Sequence, residues 1–227
     1  MDEKQGDPLD QIKNLLESKS TAKQITYKNL LAAFQTLSAE AKRIVGALNK
    51  KVVPGDNDVT IEFTTINSHE FHVKLAGDLL IFVLHTNVVA IDGSHPVMQD
   101  PYLKEKEVNR YFGQIMIYNF MADSLKFNRI NDPGYLLARL LINREGRYVI
   151  EGDGHLTGIA NKLSSSPIVD SELGILVKLA LMLAIENDLV APPFPDVRYI
   201  TLFQKMERTL ELGAGRKIGF QITMSGK

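Results

Sequence analysis

The chain has 227 residues, of which 44% are hydrophobic and 23% are charged, as in typical globular proteins and unlike disordered or fibrous ones. Its 26 basic and 27 acidic side chains leave a formal net charge of −1, so it lacks the overall positive field that most nucleic-acid-binding proteins carry. The absence of cysteine excludes disulfides, thiolate metal ligands and cysteine nucleophiles.

The length fits one domain, and the sequence predicts neither export nor a membrane span. The first eight residues are polar and acidic, whereas a secretory signal needs a basic and then an apolar stretch. The most apolar window, from Ile175 to Ile185, contains Lys178 and is shorter than the roughly 18–20 residues of a membrane span. We therefore expect a cytoplasmic protein that forms one α+β domain over residues 1–227, with a helical segment at 1–52 and a sheet plus a buried helix at 58–227.

The N-terminal segment shows helical periodicity. A short helix is predicted after Asp7 and Pro8, with apolar residues at Leu9, Ile12, Leu15 and Leu16. A longer helix follows, and the two are expected to form a helical hairpin. The apolar residues of the longer helix recur at steps of three and four: Tyr27, Leu30, Phe34, Leu37, Ala41, Ile44 and Leu48. This face either covers the sheet or forms the interface of a homodimer or of a complex with a protein partner. The interface residues would be Tyr27, Leu30, Phe34, Leu37, Ile44 and Leu48.

After a break at residues 53–58 the apolar period changes to two, which indicates β-strands. Residues 59–75 predict a half-exposed hairpin, and the apolar runs at 79–84 and 88–91 predict the middle of the sheet. Residues 92–111 are a polar connection that forms either a short helix or a functional loop. Further strands are predicted at 115–118, 135–142 and 147–150.

The C-terminal part predicts one more helix and one more strand. A helix capped by Asp170 or Ser171 is expected to run to Glu186 and to be buried, since apolar residues surround its axis. The stretch from Tyr199 to Met206 fits a strand or a helix, and the alternation between Ile218 and Met224 predicts a last strand. Together these elements predict an α+β fold with an N-terminal helical hairpin, a mainly antiparallel sheet of about six to eight strands and a buried C-terminal helix packed on the sheet.

The sequence contains no recognisable catalytic or cofactor motif. The pair His69 and His72 is three residues apart on a predicted strand, so the side chains point to opposite faces and do not form a zinc site. No serine lies in a nucleophile elbow and no lysine-containing phosphate loop occurs. We therefore expect no metal and no cofactor, and the sequence identifies no catalytic residue.

Three polar residues stand where the pattern favours apolar ones, namely His85, Asn119 and Arg139. A buried guanidinium needs a partner, so Arg139 must reach solvent, a carboxylate such as Asp123 or Glu151, or an anionic ligand. We expect a structural ion pair, and we place any ligand pocket beside these three residues.

Two functional hypotheses follow from the sequence. The first is a non-enzymatic binding or assembly module that self-associates through its N-terminal helix, with no membrane or nucleic-acid partner. The alternative is a small-molecule or anion-binding enzyme with a polar pocket around His85, Asn119 and Arg139. A pocket where the three side chains converge would favour the enzyme.

Overall fold

The computed structural model describes residues 7–52, 59–152, 154–158, 162–187, 193–199 and 201–203. The chain begins with a long helical rod. Helix α1 (Pro8–Leu15) is capped by the carboxylate of Asp7, which accepts the Leu9 N–H at 3.0 Å. A π-helical turn (Leu16–Ser20) joins it directly to α2 (Thr21–Lys51). Both predicted helices are present, but they continue as one rod of about 65 Å and do not turn back as a hairpin.

The rod is followed by a six-stranded antiparallel sheet. The strands are β1 (Ile61–Asn67), β2 (Glu70–Leu75), β3 (Asp78–Ala90), β4 (Tyr111–Met121), β5 (Tyr135–Asn143) and β6 (Tyr148–Gly152). They lie side by side in chain order, each hydrogen-bonded to the next. The strands predicted between residues 59 and 150 are therefore present, and β3 and β4 form the centre of the sheet.

Several short helical segments and one longer helix, α5, complete the description of the fold. The connection after β3 contains a 3-10 turn (Pro96–Gln99), α3 (Pro101–Glu105) and a second 3-10 turn (Glu107–Arg110). Helix α4 (Ala122–Lys126) follows β4, and a 3-10 turn (Gly154–Gly158) follows β6. The last two helices are α5 (Asp170–Glu186) and α6 (Phe194–Val197).

The main core lies between one face of the sheet and the two long helices α2 and α5. Every second strand residue points into it, and Phe71 and Phe82 stack there with ring centroids 4.4 Å apart. Gly113 on β4 permits close approach of α2, because a Cβ at this position would lie 2.6 Å from Leu30 Cδ2. The start of α5 is tied to β6, since the Tyr148 hydroxyl donates to Glu172 Oε1 at 2.5 Å.

Helix α5 is packed on the sheet as predicted, although it is not buried all round. Leu176, Val177 and Ala180 are completely buried. Ile175 and Met182 on the outer side are 45% and 44% exposed. The helix therefore covers the core with one face and shows an apolar stripe on the other.

The α+β class is confirmed by this arrangement. The stretch from Tyr199 to Met206 is described only in part, and the strand predicted between Ile218 and Met224 lies outside the described residues. Among the described helices, none combines the length and apolar character needed to cross a membrane.

Candidate functional site

The face of the sheet turned away from α2 and α5 is called here the open face. Its central part consists of Ile81 and Val83 on β3 and of Met116 and Tyr118 on β4. Ile81 pairs with Tyr118 and Val83 pairs with Met116 across the two strands. All four side chains are half-buried and belong to neither of the buried apolar clusters. We call these four residues the apolar floor.

Both ends of the open face are covered by chain connections. At one end, Val97 and Leu103 from the segment after β3 pack on Phe112 and Leu141 and form a second buried cluster. At the other end, the segment before β5 approaches Phe120 so closely that a Cβ on Gly134 would lie 2.1 Å from the ring. The apolar floor therefore lies in a recess between two covered ends.

A charged network borders the apolar floor on the β5–β6 side. Arg139 and Glu151 are register partners, and Arg139 Nε donates to Glu151 Oε2 at 2.5 Å. His95, from the segment after β3, contacts the other oxygen, Glu151 Oε1, at 2.5 Å. Burial raises the pKa of Glu151, but the hydrogen bonds from Arg139 and His95 outweigh it and leave the pKa below its ordinary value. Glu151 is therefore ionised at neutral pH and holds the other two side chains.

The protonation pattern of His95 follows from its two hydrogen bonds. The Val97 N–H donates to His95 Nδ1 at 3.2 Å, which assigns this nitrogen as the acceptor. The proton then lies on Nε2 and is donated to Glu151. With both ring nitrogens engaged, His95 fastens the segment after β3 to the sheet and has no free nitrogen for proton transfer.

A groove of 780 Å³ borders the apolar floor on the β1–β2 side. His72 lines it and is only 6% exposed. Its Nε2 lies 2.6 Å from Glu70 Oε1, so this ring is also held by a carboxylate. Glu62 and Lys74 face each other across β1 and β2, with 3.8 Å between Oε1 and Nζ. Charged pairs therefore border this side of the groove, beside apolar lining residues such as Leu79 and Met121.

The three residues predicted as a ligand site do not lie together. Arg139 and His85 are both on the open face, although they lie on different strands with β4 between them. Asn119 is on the helix-covered side, where it pairs with Leu80 and donates to Asp78 Oδ1 at 3.0 Å. Its own Oδ1 is buried and has no hydrogen-bond partner within the described part of the chain. Sequence reasoning named Glu151 as a partner of Arg139 but gave no signal for His95, which is 56 residues away from Glu151 in the chain.

The residues predicted as an interface are placed on the core side of α2. Leu30, Phe34, Leu37 and Ile44 are between 0% and 6% exposed and pack in the main core. Tyr27 and Leu48 are partly buried against the same cluster. This placement favours the interpretation that α2 covers the sheet. Ile25 on α2 is 37% exposed, but the most exposed apolar residues of the rod lie in its first part: Leu9, Ile12, Leu15 and Leu16.

No cluster of three or more histidine, aspartate or glutamate side chains suited to a metal ion occurs within the described ranges. Comparison of the chain with protein-family models, with curated proteins and with solved structures gives no match.

Proposed function

We propose that this chain is a non-enzymatic binding module whose ligand lies on the open face of the sheet. The apolar floor carries the proposal. The two central strands completely bury Phe82, Ile115 and Ile117 on one face but leave the four apolar side chains of the floor only partly covered on the other. A sheet face that is simply solvated carries mainly polar side chains, and an exposed apolar patch with a polar rim is typical of a binding surface.

Two of the histidines at the open face are held by carboxylates, which favours binding over catalysis, whereas among the described residues His85 is hydrogen-bonded to Asn87 through Nδ1 alone. His95 uses both ring nitrogens, and His72 is held by Glu70. A catalytic base needs a nitrogen or oxygen within reach of a substrate proton. The alternative enzyme required His85, Asn119 and Arg139 in one pocket, and the sheet separates Asn119 from the other two.

A separate observation supports assembly through the N-terminal helix. Helix α1 has no buried residue, and four large apolar side chains on it and the following π-helical turn are 51–71% exposed. The second candidate function is therefore self-association through residues 9–16. It does not require the residues of α2 that the core already uses.

A neutral fluorescent dye such as Nile red tests the proposed binding surface. We expect the native protein to enhance the dye fluorescence and Val83→Lys to reduce that enhancement several-fold. The matched control is Ile175→Lys, which removes a 45% exposed apolar side chain from the outer side of α5. Circular dichroism establishes that both variants are folded. If Ile175→Lys abolishes the signal while Val83→Lys keeps it, the binding surface is not the open face.

A further inference from the structure

Arg139 has donors that the ion pair with Glu151 does not use. Its Nε makes the only hydrogen bond found for this guanidinium among the described residues, and the two Nη nitrogens have no acceptor there. The side chain is 34% exposed, so water or a ligand can reach it. The guanidinium therefore keeps a fork of paired N–H groups available on the open face.

We propose that the Nη fork of Arg139 binds the carboxylate of a small molecule whose apolar body lies on the apolar floor. This inference rests on the proposed function and adds the ligand class to it. The planar fork of arginine matches a carboxylate in a bidentate arrangement, whereas a lysine offers a single charged point.

The charged groups around Arg139 hold the guanidinium in place but leave its Nη donors without an acceptor among the described residues. Glu151 accepts from Arg139 Nε at one oxygen and from His95 Nε2 at the other. Both carboxylate oxygens thus have a donor already, and neither depends on the Nη groups. The same pairs fix the rotamer of Arg139, which lowers the entropy lost when a ligand binds.

The neighbours of Arg139 supply the apolar contact. Met116 is its register partner on β4, and Val83 is the partner of Met116 on β3. Two strand spacings place Val83 about 10 Å from Arg139. A carboxylate at Arg139 can therefore carry a medium-length apolar chain across both side chains. The Tyr118 hydroxyl donates to the Met116 sulfur, a weak acceptor, and can donate to a carboxylate oxygen instead.

Calorimetric titration with octanoate and octanamide tests this inference, because the two probes share a chain length and differ in the charge of the head group. For the native protein we expect octanoate to bind roughly tenfold or more tightly than octanamide, as for hydrogen bonds to charged groups. Arg139→Met is expected to abolish this preference, because octanoate binding weakens far more than octanamide binding. Arg139→Lys is expected to restore only part of it. Lys42→Met, at an exposed position of α2, serves as the control and keeps the preference.

Each outcome decides one of the two claims. Equal binding of both probes to the native protein overturns carboxylate recognition and leaves the open face as a binding surface. Binding of neither probe overturns the carboxylate inference, and a failed Nile red experiment then overturns the proposed function as well. An octanoate preference that survives in Arg139→Met assigns the carboxylate to another group. The comparison of the two probes on the native protein needs no variant, so it holds even if Arg139→Met does not fold.

Discussion

Arg139 and Glu151 face each other on β5 and β6, and His95 completes the pair from a segment that precedes both strands. The carboxylate of Glu151 is therefore the point at which the connection after β3 is fastened to the far side of the sheet. The stability of this end of the open face depends on the ionisation of one residue.

The pH dependence of Glu151→Gln tests this dependence. The pKa of Glu151 is lowered in the folded protein, so its contribution to stability is present above the pKa of the unfolded chain. This contribution is lost as the pH falls through the lower pKa that Glu151 has in the folded protein. We expect Glu151→Gln to be less stable than the native protein near neutral pH and the difference to close once the pH falls below the lowered pKa of Glu151 in the folded protein. Urea unfolding at several pH values measures it, and a difference that does not change with pH contradicts the account.

Arg139→Met is expected to destabilise the fold moderately. Exposed pairs contribute about 0–1 kcal/mol, and breaking a fully buried pair costs about 3–5 kcal/mol. The side chains of Arg139 and Glu151 are 34% and 29% exposed, so we expect a loss of about 1 kcal/mol. Urea unfolding beside the control Lys42→Met measures the difference. A variant as stable as the native protein would show that the ion pair has no net structural role.

Much of the fold could be predicted because the apolar period is a local property of the sequence. The change from steps of three and four to a period of two located the long helix and the strands. The hairpin expected in the N-terminal segment did not form, because residues 16–27 contain no glycine or proline to break the helix. The absence of helix-breaking residues could be read from the sequence, but the apolar pattern alone does not reveal it.

The candidate site was less accessible to sequence reasoning because it depends on which strands pair and in what register. The carboxylate partner of Arg139 could be predicted from the sequence, since Glu151 lies on the next strand. Whether Asn119 on β4 and Arg139 on β5 share a face could not be predicted, because that depends on the pairing register of the two strands. His95 reaches Glu151 only through the tertiary fold. Local patterns thus identify candidate residues but do not determine which of them meet.

Helix α5 provides a matched pair of substitutions. Leu183 is 6% exposed in the main core, whereas its neighbour Met182 is 44% exposed. We expect Leu183→Ala to cost about 2–5 kcal/mol of unfolding free energy and Met182→Ala less than about 1 kcal/mol. Thermal or urea unfolding measures both. Equal losses for the two variants would contradict the orientation of α5. Leu179 is half-buried, and Leu179→Ala should fall between them.

The two parts of the helical rod are expected to respond differently to a charge. Leu37 on the core side of α2 is completely buried, so Leu37→Glu places a carboxylate in the core and should prevent folding. Ile12 is 53% exposed, so Ile12→Glu should leave the fold intact. Circular dichroism and light scattering follow the fold and the oligomeric state. A folded Leu37→Glu monomer derived from a native dimer would instead establish α2 as the interface.

The most direct test of the open face as a binding surface is the methyl spectrum of the methionines, recorded by NMR during an octanoate titration. Met116 lies on the apolar floor and is half-buried, and Met182 is a 44% exposed methionine on the outer side of α5. We expect the Met116 methyl resonance to shift with saturation and the Met182 resonance to stay in place. A saturable shift of Met182 with an unchanged Met116 would contradict the central claim.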